Sequence, residues 1–408
     1  MSAASRAVVS LGSNLEPRAE YLSRAVARLA ALPGTKLLRQ SGVRTTDPVD
    51  VPAVFASLKF LNQVVTLDTT LEAHEFSRLM HGIEDELGRV RTVRNGPRTI
   101  DLDLIAFGGV RSDDPELTLP HPRAAEREFV MEPLREIWLA ELRERYDRYV
   151  DGYRDPSGAL PKMMQLKYEH TMLVLRNAGQ IAESEKFTDE ERFVVKAAAL
   201  LHDTGRYEQL KRYDTFQDSE SVDHAVFSHD IVKERGWLKT LSAAELAAPF
   251  EDLILKSVLY HNRRDLPKEI EDPLAASSAS LRLLSLAAHT VRDADKLDIF
   301  RVLEDLVEHT DWRTDSRAFW NLAVGVPPNP EVVKAIRERR PVDYQHIRSL
   351  ADFVLIQVGW ILSGLHFKAS RRLCRDRGHL DFRRRFLGEI GGGAEADALC
   401  DLADVASA

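Results

Sequence analysis

The sequence predicts an α+β sandwich unit followed by an all-helical unit. Its first third alternates short β-branched runs with helical periods, which is a sandwich pattern. From about Trp138 onward helical periods dominate and β-branched runs vanish. The length of 408 residues suits two or three domains of ordinary size.

Each element has its own signal. Ala7 to Leu11 (AVVSL) reads as a strand, and Gly12-Ser13-Asn14 as a turn. Pro17 opens a helix that carries Leu22, Val26 and Leu29 on one face. Phe60 to Leu67 reads as a strand. Phe76, Leu79, Ile83 and Leu87 keep helical spacing, and Gly88 ends that run. Ile100 to Phe107 (IDLDLIAF) alternates apolar and acidic residues with the period of a strand. Further on, Ala197 to Leu201, Leu253 to Leu259, Leu281 to Val291 and Phe353 to Leu365 read as helices, and Tyr153 to Pro161 as a loop. The boundary falls between Ile137 and Tyr149. The expected division is 1–140, 141–390 and a flexible tail over 391–408, whose residues are small and polar.

Composition excludes several classes. Hydrophobic residues at 44% and charged residues at 29% describe an ordinary globular chain rather than a disordered one. Lys and Arg number 56 against 64 Asp and Glu, a net charge of −8, which argues against coating a nucleic acid. Two cysteines, Cys374 and Cys400, without a CxxC pair exclude a disulfide framework and a cysteine zinc site. Residues 1–10 lack a signal-peptide apolar core. The most apolar stretch, Phe353 to Leu362, is interrupted by Gln357 and Gly359 and is too short to span a bilayer. The expectation is a soluble, cytoplasmic protein with small-molecule substrates and neither membrane nor nucleic acid as partner.

Two constellations carry chemistry. Asp101 and Asp103 lie two apart on the last strand of the sandwich unit, so both carboxylates point to one face. Such a pair suits Mg2+, which keeps water and substrate phosphate as its other ligands. Arg89, Arg91, Arg94 and Arg98 lie just upstream, and guanidinium groups bind phosphate oxygens bidentately. The bland alternative is an exposed strand beside a solvated basic loop. The second constellation is His170, His202-Asp203, His224, His261, Asp293 and Asp295 in the helical part. Imidazoles with carboxylates suit Mn, Fe, Zn, Co or Ni. Taken singly, each histidine is more ordinarily a packed or surface residue.

The first third resembles the 6-hydroxymethyl-7,8-dihydropterin pyrophosphokinase family from about Val8 to Ile137. The matching blocks are Leu11-Gly12-Ser13-Asn14, Phe60-Leu61-Asn62, Gly88-Arg89-Val90-Arg91, Gly96-Pro97-Arg98-Thr99-Ile100-Asp101-Leu102-Asp103, Leu119-Pro120-His121-Pro122-Arg123 and Arg127-Glu128-Phe129-Val130. The resemblance implies a ferredoxin-like fold and transfer of a pyrophosphoryl group from ATP to the pterin hydroxymethyl oxygen, leaving AMP. It implies that Asp101 and Asp103 hold two Mg2+ ions. Arg89, Arg91, Arg98, His121 and Arg127 would contact phosphates. Phe60 and Phe129 would sandwich the pterin, Asn62 and Thr46 would bond its edge, and Glu84 matches a nucleotide-side acid. The chain departs from the family at Thr46-Asp47-Pro48-Val49-Asp50, where a glycine is usual in place of Asp50. The stretch from Thr46 to Asn62 is also slightly long.

The region from Tyr149 to Phe386 resembles the HD superfamily of metal-dependent phosphohydrolases. That resemblance maps the family pattern onto His170, His202, Asp203 and Asp295. His224 and His261 match the extra histidines of two-metal members. Asp203 would bridge the ions, and Arg206 would hold substrate phosphate or brace an aspartate. A dihydroneopterin phosphate, AMP and another nucleotide are the candidate substrates. A sensor module without chemistry is the rival reading.

Overall fold

The computed structural model describes residues 4–90, 96–313, 319 and 322–407. Arg91, Arg94 and Trp320 fall outside these residues. Contact clustering separates one unit, Met1–Arg145 with Arg235–Glu251, from a second, Tyr146–Glu234 with Asp252–Ala408.

The first unit follows the order β1 (Ser5–Ser13), α1 (Arg18–Ala30), β2 (Thr35–Gln40), β3 (Arg44–Thr46), β4 (Phe60–Thr69), α2 (Ala73–Glu86) and β5 (Asp101–Phe107). The antiparallel sheet runs β2-β4-β1-β5, with β3 also paired to β4. This is the β-α-β-β-α-β arrangement of a ferredoxin-like sandwich. Alternation sorts the two faces. Ala7, Val9, Leu11, Leu102 and Leu104 enter one core with Leu22, Val26 and Leu29 of α1 and Phe76, Met80 and Ile83 of α2. Met80, not Leu79, occupies the buried position on α2. The opposite face carries Ser10, Gly12, Asn62, Asp101 and Asp103. A hairpin, β6 (Ser112–Asp114) and β7 (Leu117–Leu119), follows β5.

The expected turn at Gly12-Ser13 is strand instead. Gly12 pairs with Asn62 on one side and Asp101 on the other, so β1 stays extended to Ser13 between two ladders. Local turn chemistry yields there to pairing on both edges.

Helix α3 (Glu128–Asp151) lies beside β2 and β3. Arg44 on β3 bonds Glu132 and Glu136 of α3 at 3.0 and 2.7 Å, and Arg39 on β2 pairs with Glu144. The segment Arg235–Glu251 completes this unit. Trp138, fully buried, donates its indole N–H to the Ser242 carbonyl at 2.6 Å and meets the Phe250 ring at 6.2 Å. The Glu141 carboxylate accepts from the Ser242 backbone N–H at 2.9 Å, and Arg145 donates to the Thr240 carbonyl at 2.6 Å. The division expected at 140 could not foresee this, because a segment a hundred residues away supplies the cover of α3.

The second unit is helical: α4 (Lys162–Ser184), α5 (Asp189–Leu201), α6 (Gly205–Tyr213), α7 (His224–Glu234), the end of α8 (Ala244–Tyr260), α9 (Ala279–His309), α10 (Pro330–Arg337), α11 (Leu350–Gly359), α12 (Lys368–Asp376), α13 (His379–Ile390) and α14 (Gly393–Ser407). Helices α4, α5 and α9 pack on one another as its centre. Thr188 and Glu191 form a reciprocal capping box that starts α5. After α11 the chain makes one π-helical turn, Trp360–Gly364. The tail expected to be flexible is helix α14, with Leu399, Cys400 and Ala403 fully buried. Its small residues serve close packing against α11 and α13 rather than fraying.

Replacing Trp138 with Ala removes a fully buried ring and leaves the Ser242 carbonyl without its donor. The expected cost is about 3–5 kcal/mol, read as a lower urea midpoint for the first unit. A chain cut after residue 150 should show the same loss, and full stability of that fragment would contradict the role given to Arg235–Glu251.

Candidate functional sites

In the first unit, neighbouring strands bring one row of residues together. Asp101 on β5 lies beside Gly12 on β1, Gly12 beside Asn62 on β4, and Asn62 beside Arg44 on β3. A side chain at Gly12 would place its Cβ 2.9 Å from Asn62 Oδ1, so the glycine leaves room for that amide. The Asn62 amide donates to Thr46 Oγ1 at 2.7 Å. A cavity of 240 Å³ opens over this row. Thr46, Phe60, Asn62, Arg89, Arg98, Asp101, Asp103, Arg127 and Phe129 line it. The Arg98 guanidinium lies 5.2 Å from the Phe60 ring centre, and that of Arg127 lies 5.6 Å from Phe129.

The two carboxylates share this cavity and already have arginine partners. Asp101 meets Arg89 at 2.5 Å and Arg98 at 2.9 Å, and Asp103 meets Arg127 at 3.2 Å. Burial and the charge of Asp101 raise the pKa of Asp103 above the ordinary carboxylate range. A hard divalent cation would relieve that repulsion and release the arginines to phosphate oxygens. Sequence reasoning missed Asn14, whose Oδ1 accepts the Arg98 backbone N–H at 2.8 Å and pins the arginine loop.

Two expected contacts are placed differently. Glu84 is 1% exposed and does not line the cavity. It accepts from the Leu102 backbone N–H at 2.7 Å and pairs with Arg89, so it orients that guanidinium from behind. A buried carboxylate takes the nearest donors, and these lie behind the strand. His121 is not among the residues lining the cavity but interacts with Asp103; its Nδ1 accepts from the Arg123 backbone N–H at 3.2 Å, and burial lowers its pKa against the opposing pull of Asp103. Asp50, at the position where a glycine was expected, adopts a left-handed φ of 56° and pairs with Arg123. Aspartate is among the few residues that tolerate that conformation.

In the second unit, five helix segments meet at one point. His170 comes from α4, His202 and Asp203 from the end of α5, and His224 from the first position of α7. His261 follows α8, and Asp295 lies on α9. All but Asp295 are at least 93% buried. The Nε2 atoms of His170 and His202 both lie 3.6 Å from Asp203 Oδ2. Those of His224 and His261 lie 3.7 and 3.8 Å from Asp203 Oδ1. Asp295 Oδ1 is 3.1 Å from His170 Nε2. One carboxylate thus faces two histidine pairs, one with each oxygen.

The outer ring nitrogens explain the orientation. The Nδ1 of His170 donates to Asp298 at 2.7 Å, and that of His224 to Asp218 at 2.5 Å. The Nδ1 of His202 donates to the Ala199 carbonyl at 2.8 Å, and that of His261 to Val258 at 2.7 Å. With Nδ1–H committed outward, each ring in its neutral form presents an Nε2 lone pair inward. The Nε2 atoms of His224 and His261 face each other at 3.0 Å, and those of His170 and His202 are buried without a hydrogen-bond partner. Lone pairs and carboxylates converging in a buried space fit a bound cation. The donor atoms form two groups, His170-His202-Asp203 and Asp203-His224-His261.

Electrostatics agree. Burial disfavours the charged form of His261, and its neighbours His224 and His202 add to this, pushing it down to about 3. Burial also lowers His202. Burial and Lys167 oppose protonation of His170, but the Asp295 and Asp298 carboxylates outweigh them and hold it up at about 9. Burial works against the Asp203 carboxylate, yet Lys167, His202 and Arg206 hold it well below the usual range. Arg206 lines the cavity, and its Nη1 donates to Gln209, the Phe216 carbonyl and Asp218 at 2.7–3.0 Å. Asp298 and Asp218 escaped the sequence reading. Asp298 shares a helix face with Asp295, whereas nothing local marks Asp218.

Comparison with known proteins places both regions. Residues 8–139 match the family model described as 7,8-dihydro-6-hydroxymethylpterin-pyrophosphokinase, and residues 168–299 match the HD domain model. The chain is 42% identical over 131 residues to the 2-amino-4-hydroxy-6-hydroxymethyldihydropteridine pyrophosphokinase of Bacillus subtilis, covering 32% of this chain and 77% of that one. It is 38% identical over 135 residues to the Pseudomonas aeruginosa protein of the same name, 32% of this chain and 80% of that one. It is 37% identical over 135 residues to a mitochondrial folate synthesis bifunctional protein of Pisum sativum, 32% of this chain and 24% of that one. Among the described residues no helix is long and apolar enough to cross a membrane. With these matches lying over the two sites just described, the chain belongs to the 7,8-dihydro-6-hydroxymethylpterin-pyrophosphokinase family, here fused to an HD domain.

Proposed function

We propose that the protein is bifunctional: the first unit transfers pyrophosphate from ATP to 6-hydroxymethyl-7,8-dihydropterin, and the second hydrolyses a phosphate ester. In the first unit the pterin ring lies between Phe60 and Phe129, and the Asn62 amide with Thr46 reads its edge. Arg89, Arg98 and Arg127 leave their carboxylate partners for the phosphate oxygens of ATP. Two Mg2+ ions on Asp101 and Asp103 would neutralise polyphosphate charge. The hydroxymethyl oxygen then displaces AMP at the β-phosphorus, and the chain contributes position and charge rather than a covalent step. The carrying observation is that both carboxylates, three arginines and both phenylalanines line one cavity.

In the second unit, His170, His202, Asp203 and Asp295 would hold one transition-metal ion, and Asp203, His224 and His261 a second. A divalent ion there acidifies water and draws charge from a phosphoryl oxygen. Asp298 and Asp218 hold two of the imidazoles in the ligating tautomer, and Lys167, 2.9 Å from Asp203, fixes that carboxylate. Four inward Nε2 atoms around one buried carboxylate carry this reading over that of a sensor without chemistry.

Asp101→Ala should lower pyrophosphoryl transfer by about 10²–10³-fold or more and spare hydrolysis, and Asp203→Ala should do the reverse. Assays of both variants with ATP plus pterin, and with phosphate esters plus Mn2+, check this; joint loss in either variant contradicts separate sites. Asp298→Asn should weaken metal affinity by about 10–100-fold, measured by competition with a chelating dye. Because protonated His170 persists up to about pH 9, metal added at pH 7.5 must displace a proton. Calorimetry in buffers of different ionisation enthalpy should show proton release at pH 7.5 that fades above about pH 9.

A further inference from the structure

The second-unit cavity extends well beyond the metal cage. Its volume is 570 Å³, within the range of about 300–1,000 Å³ typical of sites for whole small molecules. A simple phosphate monoester needs only the cage end. Beyond the cage residues its lining carries six cations, Arg263, Arg264, Arg292, Lys296, Arg339 and Arg340, against two further carboxylates, Asp265 and Glu271.

Half of these charges are already answered. Arg263 pairs with Asp223 at 2.8 Å, Arg264 lies 3.7 Å from Asp265, and Arg340 pairs with Glu338. Arg292, Lys296 and Arg339 have no carboxylate within ion-pair distance among the described residues. Arg292 donates to the backbone carbonyls of Tyr260, Arg263 and Arg264, so it is a fixed positive charge behind the loop that carries His261. Lys296 lies one helical turn further along α9, on the same face as Arg292. Arg339 follows α10 in a left-handed conformation, φ 55°, an unusual backbone state for arginine. Ile299, Ile336 and Ile356 line the same cavity, and apolar surroundings strengthen any charge–charge contact made there. Trp360 and Tyr344 also line it, and Tyr344 is 66% exposed. Trp360 opens the π-helical turn, a feature frequent at functional sites.

Three uncompensated cations beside two aromatic rings are costly in the free protein and are relieved by an anion. We propose that this cavity binds a planar heterocycle carrying a polyphosphate chain, with the scissile phosphate at the cage, a further phosphate on Lys296 and Arg339, and the ring on Trp360 and Tyr344. This rests on the hydrolase reading for its chemistry but not for its binding. In the reaction a water oxygen bonds to the phosphorus at the cage, the bond from that phosphorus to the leaving oxygen breaks, and the leaving oxygen takes a proton from the water.

The test uses the full chain loaded with Mn2+, without pterin, and GMP, GDP and GTP as probes. The expected kcat/KM rises by about tenfold or more from GMP to GTP, the scale of one charge-assisted contact. In Lys296→Gln/Arg339→Gln the GTP value falls by at least about tenfold while GMP changes by less than about threefold, with bound metal unchanged. Equal losses for GMP and GTP, or a preference for GMP in the parent, overturn the proposal. If no nucleotide is cleaved although metal is bound, the hydrolase reading fails separately. Equilibrium dialysis with inorganic tripolyphosphate, metal-free, then decides binding. Since tripolyphosphate can also enter the first unit's cavity, the quantity read is the difference between parent and double variant. Weaker binding by the double variant supports the subsite, and equal binding overturns it. Tyr344→Ala should raise KM for GTP and leave tripolyphosphate binding unchanged; no change in KM removes the ring contact from the proposal.

Discussion

A buried carboxylate faced by four imidazoles must be compensated by positive charge, and much of the second unit answers that constraint. Asp203 offers one oxygen to His170 and His202 and the other to His224 and His261. Each ring keeps its outer proton on a fixed acceptor. The helix ends are spent on this task. His202 ends α5 and His261 follows α8, so carbonyls in those last turns accept from their rings, while His224 at the start of α7 uses the Asp218 carboxylate.

The first unit solves a related problem differently. Asp101 and Asp103 also repel each other, but strand alternation exposes them to one cavity where arginines already compensate them. That compensation is exchangeable. A cation on the carboxylates and a phosphate on the guanidinium groups would replace two kinds of pair with two better ones. Glu84 and Asn14 make the exchange orderly by holding Arg89 and the Arg98 backbone in place.

The two units also differ in how much of each was legible in the residues. Strand period placed Asp101 and Asp103 on one face, and the order of the arginine and histidine motifs named most of the cavity lining. The reading missed where pairing or distance overrides local signals. Gly12-Ser13 carries turn chemistry but sits between two strands. Glu84 matches a nucleotide-side acid of the family yet bonds the Leu102 backbone behind the cavity. Residues 391–408 look like a tail, but their small side chains suit a packed helix. Trp138 finds its acceptor at Ser242, about a hundred residues on, which no local pattern encodes.

The sequence alone determined the class of each unit, the hard-cation pair and the histidine–aspartate set, because periodicity and ligand chemistry are local properties. Only the tertiary structure decided which ring nitrogen faces inward, that Asp203 lies between two histidine pairs, and that Arg206 bonds Gln209 and Asp218. It also decided that Arg292, Lys296 and Arg339 line one cavity without an ion-pair partner among the described residues. These depend on which distant backbone carbonyls and carboxylates arrive beside each group, and that is set by helix packing rather than by spacing along the chain.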